Sequence, residues 1–301
     1  MIGRGPYFYR KLAILGQGGM ADVFQCDLVN QFGATFGTTR YAVKILRERW
    51  DRGRFVREAS VLAGLRHPHL IRIVAYHFDA DPPFYVMPVM KETLADHLLA
   101  MKEAHQAHRA LYAIREYLRP VADAVRYLHG KGVVHRDIKP GNILLDASGR
   151  PILADLSICH VSRFGQVEQT WCGMGTAHYT APETLRTGRA TARSDIFSLG
   201  VVLYEMLTGR VTPEGYWWLE RQNLPSVHHP RSCHPYVDAV IANMTHPDPS
   251  SRYQGVAQVM TWFDYLTSAC LPALPAYVAP PPPTHRPGVA PSVAALFARQ
   301  R

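Results

Sequence analysis

The sequence predicts an α+β fold with a smaller, strand-rich first part and a larger, mainly helical second part. Between residues 7 and 90, short alternating segments are typical of β-strands and enclose one helical pattern. From residue 94 onward, apolar residues recur mostly at helical spacing. A chain of 301 residues is long enough to form two lobes.

The first part is predicted to contain four clear strands and one helix. Leu12–Leu15 and Val23–Asp27 flank a glycine-rich turn, and Tyr41–Leu46 alternates as a third strand. Apolar residues then recur at helical spacing through Phe55–Leu65, and the apolar run Phe84–Met87 is a further strand.

The second part opens with an apolar stripe that predicts a long helix ending at Gly130, where we expect the left-handed conformation that often terminates helices. The stripe consists of Leu111, Leu118, Val121, Val125 and Leu128. Residues 271–301 change to Pro-rich sequence, with Pro280–Pro283 consecutive, and predict a flexible or polyproline II tail.

Composition favours a soluble cytoplasmic protein. Hydrophobic residues make up 47% and charged residues 19% of the chain, and no apolar run is long enough to span a bilayer. The five cysteines form no Cys-x-x-Cys pair, which favours a reducing compartment. The net charge of +9 is dispersed among acidic residues, so we expect no nucleic-acid partner.

The turn Gly16–Val23 reads Gly-Gln-Gly-Gly-Met-Ala-Asp-Val. Glycines allow backbone amides to approach phosphate oxygens, although glycines in a hairpin are common without any such role. A strand follows this turn, whereas a dinucleotide-binding loop of the Rossmann type would need a helix there. A lysine, Lys44, ends the next strand, and Glu58 on the following helix is placed to form an ion pair with it.

The segment His135–Asn142 reads His-Arg-Asp-Ile-Lys-Pro-Gly-Asn and carries the strongest functional signal. A carboxylate at Asp137 can accept or orient the proton of a hydroxyl group, and the amide oxygen of Asn142 can reach a metal beside it. Asp155 follows the predicted strand Ile152–Ala154 and supplies a charged metal ligand. These oxygen donors suit Mg²⁺, and phosphoryl transfer depends mainly on positioning and charge neutralisation.

With these motifs in this order, residues 7–268 resemble the eukaryotic-type (Hanks-type) protein kinases, in their bacterial-like serine/threonine branch. The resemblance implies a two-lobed fold that binds ATP with Mg²⁺ (or Mn²⁺) and phosphorylates serine and threonine on protein substrates. We therefore expect a kinase domain over 7–270, with the N-lobe at about 7–88, the hinge at about 88–93 and the C-lobe at about 94–270.

The resemblance also assigns roles to individual residues. Asp137, Lys139 and Lys44 are the expected catalytic residues, and Asn142 and Asp155 the expected metal ligands. Met87 corresponds to the gatekeeper and Pro88–Met90 to the hinge; Pro88 loses only an N–H that adenine binding does not need. The expected nucleotide-binding residues are Leu15, Gly16, Gln17, Gly18, Gly19, Met20, Ala21, Val23, Ala42, Lys44, Glu58, Met87, Pro88, Met90 and Leu144.

Further matches have structural roles in the family. Ala181–Glu183 resembles the end of the activation segment, with Arg252 as its partner, and Asp195 resembles the aspartate that braces the catalytic loop. Gly175-Thr176 resembles the pair beside the substrate. Arg136 predicts regulation by phosphate on the activation segment, and within that segment Thr170 is the preferred site and Ser162 the second.

Two positions depart from the family pattern. Asp155-Leu156-Ser157 replaces Asp-Phe-Gly; Leu156 can fill the apolar slot, whereas Ser157 lacks the freedom of glycine, which predicts altered regulation. Ala21 replaces the third glycine of the loop.

The cluster from His228 to His234 lacks the paired spacing of a structural zinc site, so it is assigned no role. The sequence gives no evidence of a lowered thiol pKa for Cys159 or Cys172, so Cys159-His160 and Cys172 are assigned no redox role.

Two other functions are alternatives to a serine/threonine kinase that autophosphorylates its activation segment. A catalytically weak or silent nucleotide-binding pseudokinase scaffold would explain the departures, but such proteins usually lose a charged residue that this chain keeps. A small-molecule kinase would not need the platform Gly175–Glu183. The Pro-rich tail is expected to be disordered, with docking of an upstream activator or other partner as the alternative.

Overall fold

The computed structural model describes residues 1–2, 7–48, 50–100, 111–156, 160–161, 178–208 and 235–270. It confirms the predicted α+β architecture, because an antiparallel sheet with one long helix forms the first lobe and helices dominate the second. Within the described part of the chain, no helix is both long and apolar enough to cross a membrane.

The sheet of the first lobe has five antiparallel strands in the order β1-β2-β3-β5-β4. Its first and third strands are longer than the apolar pattern predicted, because residues before the predicted segments, Tyr7–Lys11 and Thr35–Arg40, also pair with β2. The strands are β1 (Tyr7–Gln17), β2 (Ala21–Asn30), β3 (Thr35–Leu46), β4 (Ala75–His77) and β5 (Phe84–Pro88).

The helix of this lobe, α1 (Arg52–Gly64), begins where Asp51 caps its first turn by accepting a hydrogen bond from the Arg54 amide. Its inward face buries Phe55, Glu58, Ala59 and Leu62. A buried glutamate is costly unless an opposite charge is paired with it. Glu58 lies across from Lys44.

Short strands connect the two lobes. The three-stranded sheet β6-β8-β9 consists of β6 (Glu92–Thr93), β8 (Ile143–Leu145) and β9 (Pro151–Leu153). The Lys91 amide donates to the Leu145 carbonyl at 2.8 Å, which fixes the segment after β5 against this sheet. A further pair is formed by β7 (Val133–Val134) and β10 (His160–Val161).

The described helices of the second lobe surround the main core. A π-helical turn, Ile114–Leu118, runs into the helix that the apolar stripe predicted. The helices are α2 (Leu94–Ala100), α3 (Arg119–Gly130), α4 (Pro182–Thr187), α5 (Ala192–Thr208), α6 (Pro235–Met244) and α7 (Val256–Cys270).

The expected left-handed conformation at Gly130 is wrong by two residues. Gly130 is the last residue of α3, and the positive φ of 74° belongs to Gly132. The Lys131 amide still donates to the carbonyls of Tyr127 and Leu128, so helical hydrogen bonding continues through Lys131 and the left-handed conformation follows it. The helix end itself was predicted correctly.

Helices α5 and α6 meet at a position where only glycine fits. A Cβ on Gly200 would lie 2.7 Å from Met244 Cβ and 2.7 Å from Thr245 Cγ2, which is closer than real Cβ atoms approach. Met244 is fully buried and Thr245 donates its hydroxyl to the Ile241 carbonyl, so neither side chain can move aside freely.

Candidate active site

Strand register places four of the predicted nucleotide-binding residues on one face of the five-stranded sheet. Val23 pairs with Lys44, and Ala42 pairs with Met87. Directly paired residues lie on the same face, and so do residues two apart along a strand, which joins Ala42 to Lys44. The opposite face is covered by a second apolar cluster made of Tyr9, Cys26, Val43, Ile45, Ala80, Phe84 and Val86.

The glycine-rich turn joins β1 to β2 at one end of this face. Gln17 pairs with Asp22 and Gly16 with Val23, while the Gly18 amide donates to the Ala21 carbonyl at 3.0 Å. Ala21 is buried in the main core. The methyl group that replaces the expected third glycine therefore packs inward.

Two side chains connect the turn to the segment after β3. Arg47 donates to Asp22 Oδ1 through Nη2 at 2.6 Å and through Nε at 3.1 Å. The ring of Trp50 lies beside Gly19, where a Cβ would come within 3.9 Å of it. Neither side chain was among the predicted site residues, because nothing in the local sequence shows that this segment touches the turn.

Lys44 lies between two carboxylates, one from each lobe. Its Nζ is 2.7 Å from Asp155 Oδ1 and 3.7 Å from Glu58 Oε1. The predicted ion pair with Glu58 is present, but that distance is too long for a hydrogen bond, and Asp155 is the tighter partner. Burial opposes the charged form of Lys44, yet the two carboxylates outweigh it and hold its pKa well above the ordinary value.

Glu58 is enclosed more completely than its partner. Both its carboxylate oxygens are buried and accept no hydrogen bond from the described residues. Burial therefore raises the pKa of Glu58 to about 7, although the charge of Lys44 works against the shift. The Lys44–Glu58 pair consequently strengthens as pH rises through neutrality.

Asp137 and its neighbours form a compact polar cluster in the second lobe, between β7 and β8. Lys139 Nζ donates to Asp137 Oδ2 at 2.8 Å, and Asn142 Nδ2 donates to the same oxygen at 2.8 Å. The other oxygen, Asp137 Oδ1, is buried and accepts no hydrogen bond from the described residues. A buried carboxylate oxygen without a partner is costly, and such an oxygen can accept a hydrogen bond or a proton from a hydroxyl group.

Asp195 on α5 holds the backbone of this loop, as expected. Its Oδ2 accepts from the His135 amide at 2.9 Å and its Oδ1 accepts from the Arg136 amide at 2.8 Å. Arg136 has a φ of 73°, in the left-handed region that non-glycine residues rarely occupy. The two hydrogen bonds from a fully buried carboxylate stabilise that conformation.

The predicted metal ligands lie at the same end of the β8–β9 pair. Ile143 pairs with Leu153, and just beyond them the Ala154 amide donates to the Asn142 carbonyl at 2.9 Å. This bond brings Asn142 next to the residue before Asp155, which itself has a φ of 61°. Because Asn142 uses its amide nitrogen to hold Asp137, its amide oxygen remains the atom suited to a metal.

This donor set fits Mg²⁺. One carboxylate and one amide oxygen are hard ligands, and Mg²⁺ usually keeps several waters and needs few protein groups. A zinc-type site would need more donors. Within the described ranges no group of three or more His, Cys, Asp or Glu residues could hold a metal.

The predicted hinge follows β5 and borders the same face. Pro88 ends β5 opposite Tyr41, so its missing N–H does not interrupt the strand. Met87, Met90 and Leu144 are partly buried against the main core. Leu15 is exposed on β1, near the glycine-rich turn.

Residues on the substrate side are anchored by a buried ion pair. Arg252, whose side chain is fully buried, donates to Glu183 Oε1 and Oε2 at 2.8 Å each. Ser194 Oγ also donates to Glu183 Oε1 at 2.8 Å. Burial favours the neutral form of Glu183, but the Arg252 guanidinium lowers its pKa overall. The expected partnership of these residues is confirmed.

Leu156 is fully buried in the main core with Leu62 and Ile73, as predicted for the apolar slot. Several other predictions lie outside the described residues. These are the positions Ser157, Cys159, Ser162, Thr170, Cys172, Gly175 and Thr176, the segment from His228 to His234, and the tail from residue 271 onward. The side chain of His160 lies outside them too.

Sequence reasoning missed three polar contacts made by residues around the site. His129 Nε2 lies 2.8 Å from Asp195 Oδ2, so the end of α3 contributes to the bracing of the loop. Tyr179 donates to Glu205 at 2.6 Å and accepts, through its backbone carbonyl, from Ser198. Such contacts join residues far apart in the chain, and the only hint in the sequence was polar residues at apolar positions of α5.

Comparison with known proteins gives a consistent result. A family model described as "Protein kinase domain" matches residues 9–263. The chain is 29% identical over 289 residues to the "Probable serine/threonine-protein kinase PknB" of Lactococcus lactis, covering 90% of this chain and 44% of the relative. It is 30% identical over 284 residues to the "Serine/threonine-protein kinase PrkC" of Bacillus subtilis, covering 85% and 40%. The chain thus spans less than half the length of these curated relatives.

Proposed function

This chain belongs to the protein kinase family, and on that premise we propose that it transfers the γ-phosphoryl group of ATP to serine and threonine hydroxyls of proteins. One observation carries the proposal. Asp137 has one oxygen held by Lys139 and Asn142, while the other is buried without a partner among the described residues. A hydroxyl group donating to that second oxygen would complete the cluster.

The proposed reaction uses the residues around the cleft in distinct roles. The acceptor hydroxyl donates to Asp137 Oδ1 while its oxygen attacks the γ-phosphorus and the bond to the β-phosphate oxygen breaks. Lys139 neutralises part of the charge beside Asp137. Lys44, held by Asp155 and Glu58, binds the α- and β-phosphates. Each role is mainly electrostatic, as expected for phosphoryl transfer.

We propose that Asn142 and Asp155 hold the divalent metal. Mg²⁺, with Mn²⁺ as a substitute, would neutralise the phosphate charge that develops during transfer. Asp155 also contacts Lys44. One carboxylate would therefore link the metal to the lysine that binds the phosphates.

The adenine site is proposed on the sheet face described above. The nucleotide would lie between Val23 and Ala42 on one side and Leu144 on the other, with Met87 behind it and the backbone of Pro88–Met90 at its edge. The segment Leu15–Ala21 would cover the phosphates. The kinase domain is proposed to span 7–270, with the lobes and hinge at the boundaries expected from the sequence.

A silent scaffold is not favoured. All five polar positions are present, and the structure assembles Lys44, Glu58 and Asp155 in one cluster and Asp137 and Asn142 in another. Serine/threonine specificity is supported by Lys139, which contacts Asp137 directly. Input from an upstream activator remains part of this proposal.

Phosphosite mapping by mass spectrometry tests the proposed activity. The wild-type protein, Asp137→Asn and the surface control Asp264→Asn are each incubated with Mg·ATP and a generic protein substrate. Loss of a general base reduces the rate by about 10²–10⁴. We expect phosphoserine and phosphothreonine in the wild type and the control, including Thr170 on the protein itself, and almost none in Asp137→Asn.

Nucleotide binding is measured on the same samples. If neither the wild type nor the control transfers phosphate although both bind Mg·ATP, the proposal that the protein is active by itself is wrong, and the protein is either the silent scaffold or a kinase that needs its upstream activator. If Asp137→Asn keeps full activity, the assignment of Asp137 as the proton acceptor is wrong. An unmodified Thr170 in a fully active protein would contradict the proposed regulatory site.

A further inference from the structure

Three aromatic side chains form an exposed patch on the second lobe. Tyr236 begins α6, and Trp262 and Tyr265 lie three residues apart on α7. Their exposed fractions are 47%, 37% and 47%. We call these residues the aromatic patch. Nothing in the proposed phosphoryl transfer uses it.

The three rings contact one another and form a shaped surface. The centroids of Trp262 and Tyr265 are 6.0 Å apart with planes at 88°, and those of Tyr236 and Tyr265 are 6.1 Å apart with planes at 76°. Tyr236 and Trp262 are 6.4 Å apart and inclined by only 35°. The ring of Tyr265 is therefore nearly perpendicular to the rings of Tyr236 and Trp262, whose planes are inclined only slightly to each other.

Exposed aromatic rings in mutual contact are typical of surfaces that bind another polypeptide. One ligand class matches rings of this kind especially well. A polyproline II segment has no internal hydrogen bonds, loses little conformational entropy on binding and docks in grooves lined by aromatic side chains. It advances about 3.1 Å per residue, so two prolines cover the spacing of neighbouring rings in the patch.

This chain carries such a segment close to the patch in sequence. Pro280–Pro283 are consecutive and begin ten positions after Cys270, the last residue of α7. We propose that this proline run docks on the aromatic patch of the same molecule.

The connecting segment is long enough for this return. At 1.5 Å per helical residue, Tyr265 and Trp262 lie roughly 8 and 12 Å back along α7 from Cys270. Residues 271–279 can span up to about 30 Å when extended. A short connection also gives an effective concentration on the order of millimolar, so weak binding suffices for docking within one molecule.

The test follows Trp262 directly by ¹⁹F NMR. The full chain is labelled with 5-fluorotryptophan, which reports on its five tryptophans, and the Trp262 resonance is assigned with Trp262→Phe. Pro280, Pro281, Pro282 and Pro283 are then all replaced by Ala. We expect the Trp262 resonance to shift, while that of Trp50 on the first lobe stays in place as the internal control.

A synthetic peptide of residues 277–290 provides the matching addition experiment. Added to the proline-to-alanine chain, it should return the Trp262 resonance towards its wild-type position, whereas the same peptide with the four prolines replaced should not. Tyr265→Ala should abolish the effect of the wild-type peptide. These readouts do not depend on phosphoryl transfer, so they succeed or fail independently of the proposed function.

Two outcomes would overturn the proposal. An unchanged Trp262 resonance in the proline-to-alanine chain would show that the proline run does not occupy the patch. A wild-type resonance position that depends on protein concentration would show that the tail of a second copy, and not that of the same molecule, is the occupant.

Discussion

Replacing Asp195 by asparagine should loosen the loop that carries Asp137. The wild-type carboxylate receives the His135 amide on one oxygen and the Arg136 amide on the other, at 2.9 and 2.8 Å. Asparagine offers only one oxygen, so one of the two amides would face an NH₂ group. The side chain is fully buried, and water cannot replace the lost partner.

The magnitude follows from this count. One hydrogen bond to a charged acceptor is lost, and one buried donor is left unsatisfied, which together cost about 3 kcal/mol. For a protein of this size that corresponds to a fall in Tm of roughly 6–12 °C. Because Arg136 is held at positive φ by one of these bonds, relaxation of the loop would reduce kcat by up to about a hundredfold.

The assay is thermal unfolding together with steady-state kinetics. Asp264→Asn is the matched control, because it makes the same chemical change in a surface pair with Arg119 whose aspartate is 56% exposed. Exposed pairs contribute about 1 kcal/mol or less. If the free energy of unfolding of Asp195→Asn is within about 1 kcal/mol of the wild-type value and kcat is unchanged, the two backbone hydrogen bonds do not hold the loop in place.

Three other substitutions test separate features. Glu183→Gln should destabilise the protein by about 3–5 kcal/mol in chemical denaturation, because it leaves the buried Arg252 without a counter-charge; a loss below about 1 kcal/mol would contradict this. The pKa of Glu58 is about 7 in the folded protein, against an ordinary value of 4.5. Protonation of Glu58 therefore stabilises the folded state at low pH, and this stabilisation is lost as pH rises through 7. Glu58→Gln should therefore gain stability relative to the wild type between pH 5.5 and 8, by on the order of 1 kcal/mol, and parallel stability curves would rule this out. Arg47→Ala removes the ion pair that holds Asp22 in the glycine-rich turn. It should raise KM for ATP by less than about tenfold with little change in kcat, and an effect confined to kcat would indicate another role for Arg47.

The grouping of the candidate catalytic residues could be predicted from sequence because they are close together in the chain. Asp137, Lys139 and Asn142 lie within six positions, and a single loop conformation brings their side chains into contact. The strands themselves were also predicted, since β2, β3 and β5 contain the short apolar segments that the sequence shows. The predicted core of the helix around Phe55 and Leu62 is confirmed for the same reason.

Contacts between distant segments could not be predicted in detail. The family pattern named Glu58 as the partner of Lys44, but the structure shows Asp155 one ångström closer, at 2.7 against 3.7 Å. This preference depends on side-chain conformations and on burial in the assembled cleft. The end of α3 is a smaller example. The sequence predicted a left-handed conformation at Gly130, but the Lys131 amide still donates to helix carbonyls, and the left-handed residue is Gly132.

The close contact at Gly200 has a genetic consequence. Any other residue there would force α5 away from Met244, although Gly200 touches neither nucleotide nor substrate in the proposed reaction. A saturation screen for loss of function would therefore score Gly200 beside Asp137 as intolerant to change. The two positions would be separated only by protein abundance, because alleles at Gly200 should be degraded whereas Asp137→Asn should accumulate as a folded, inactive product.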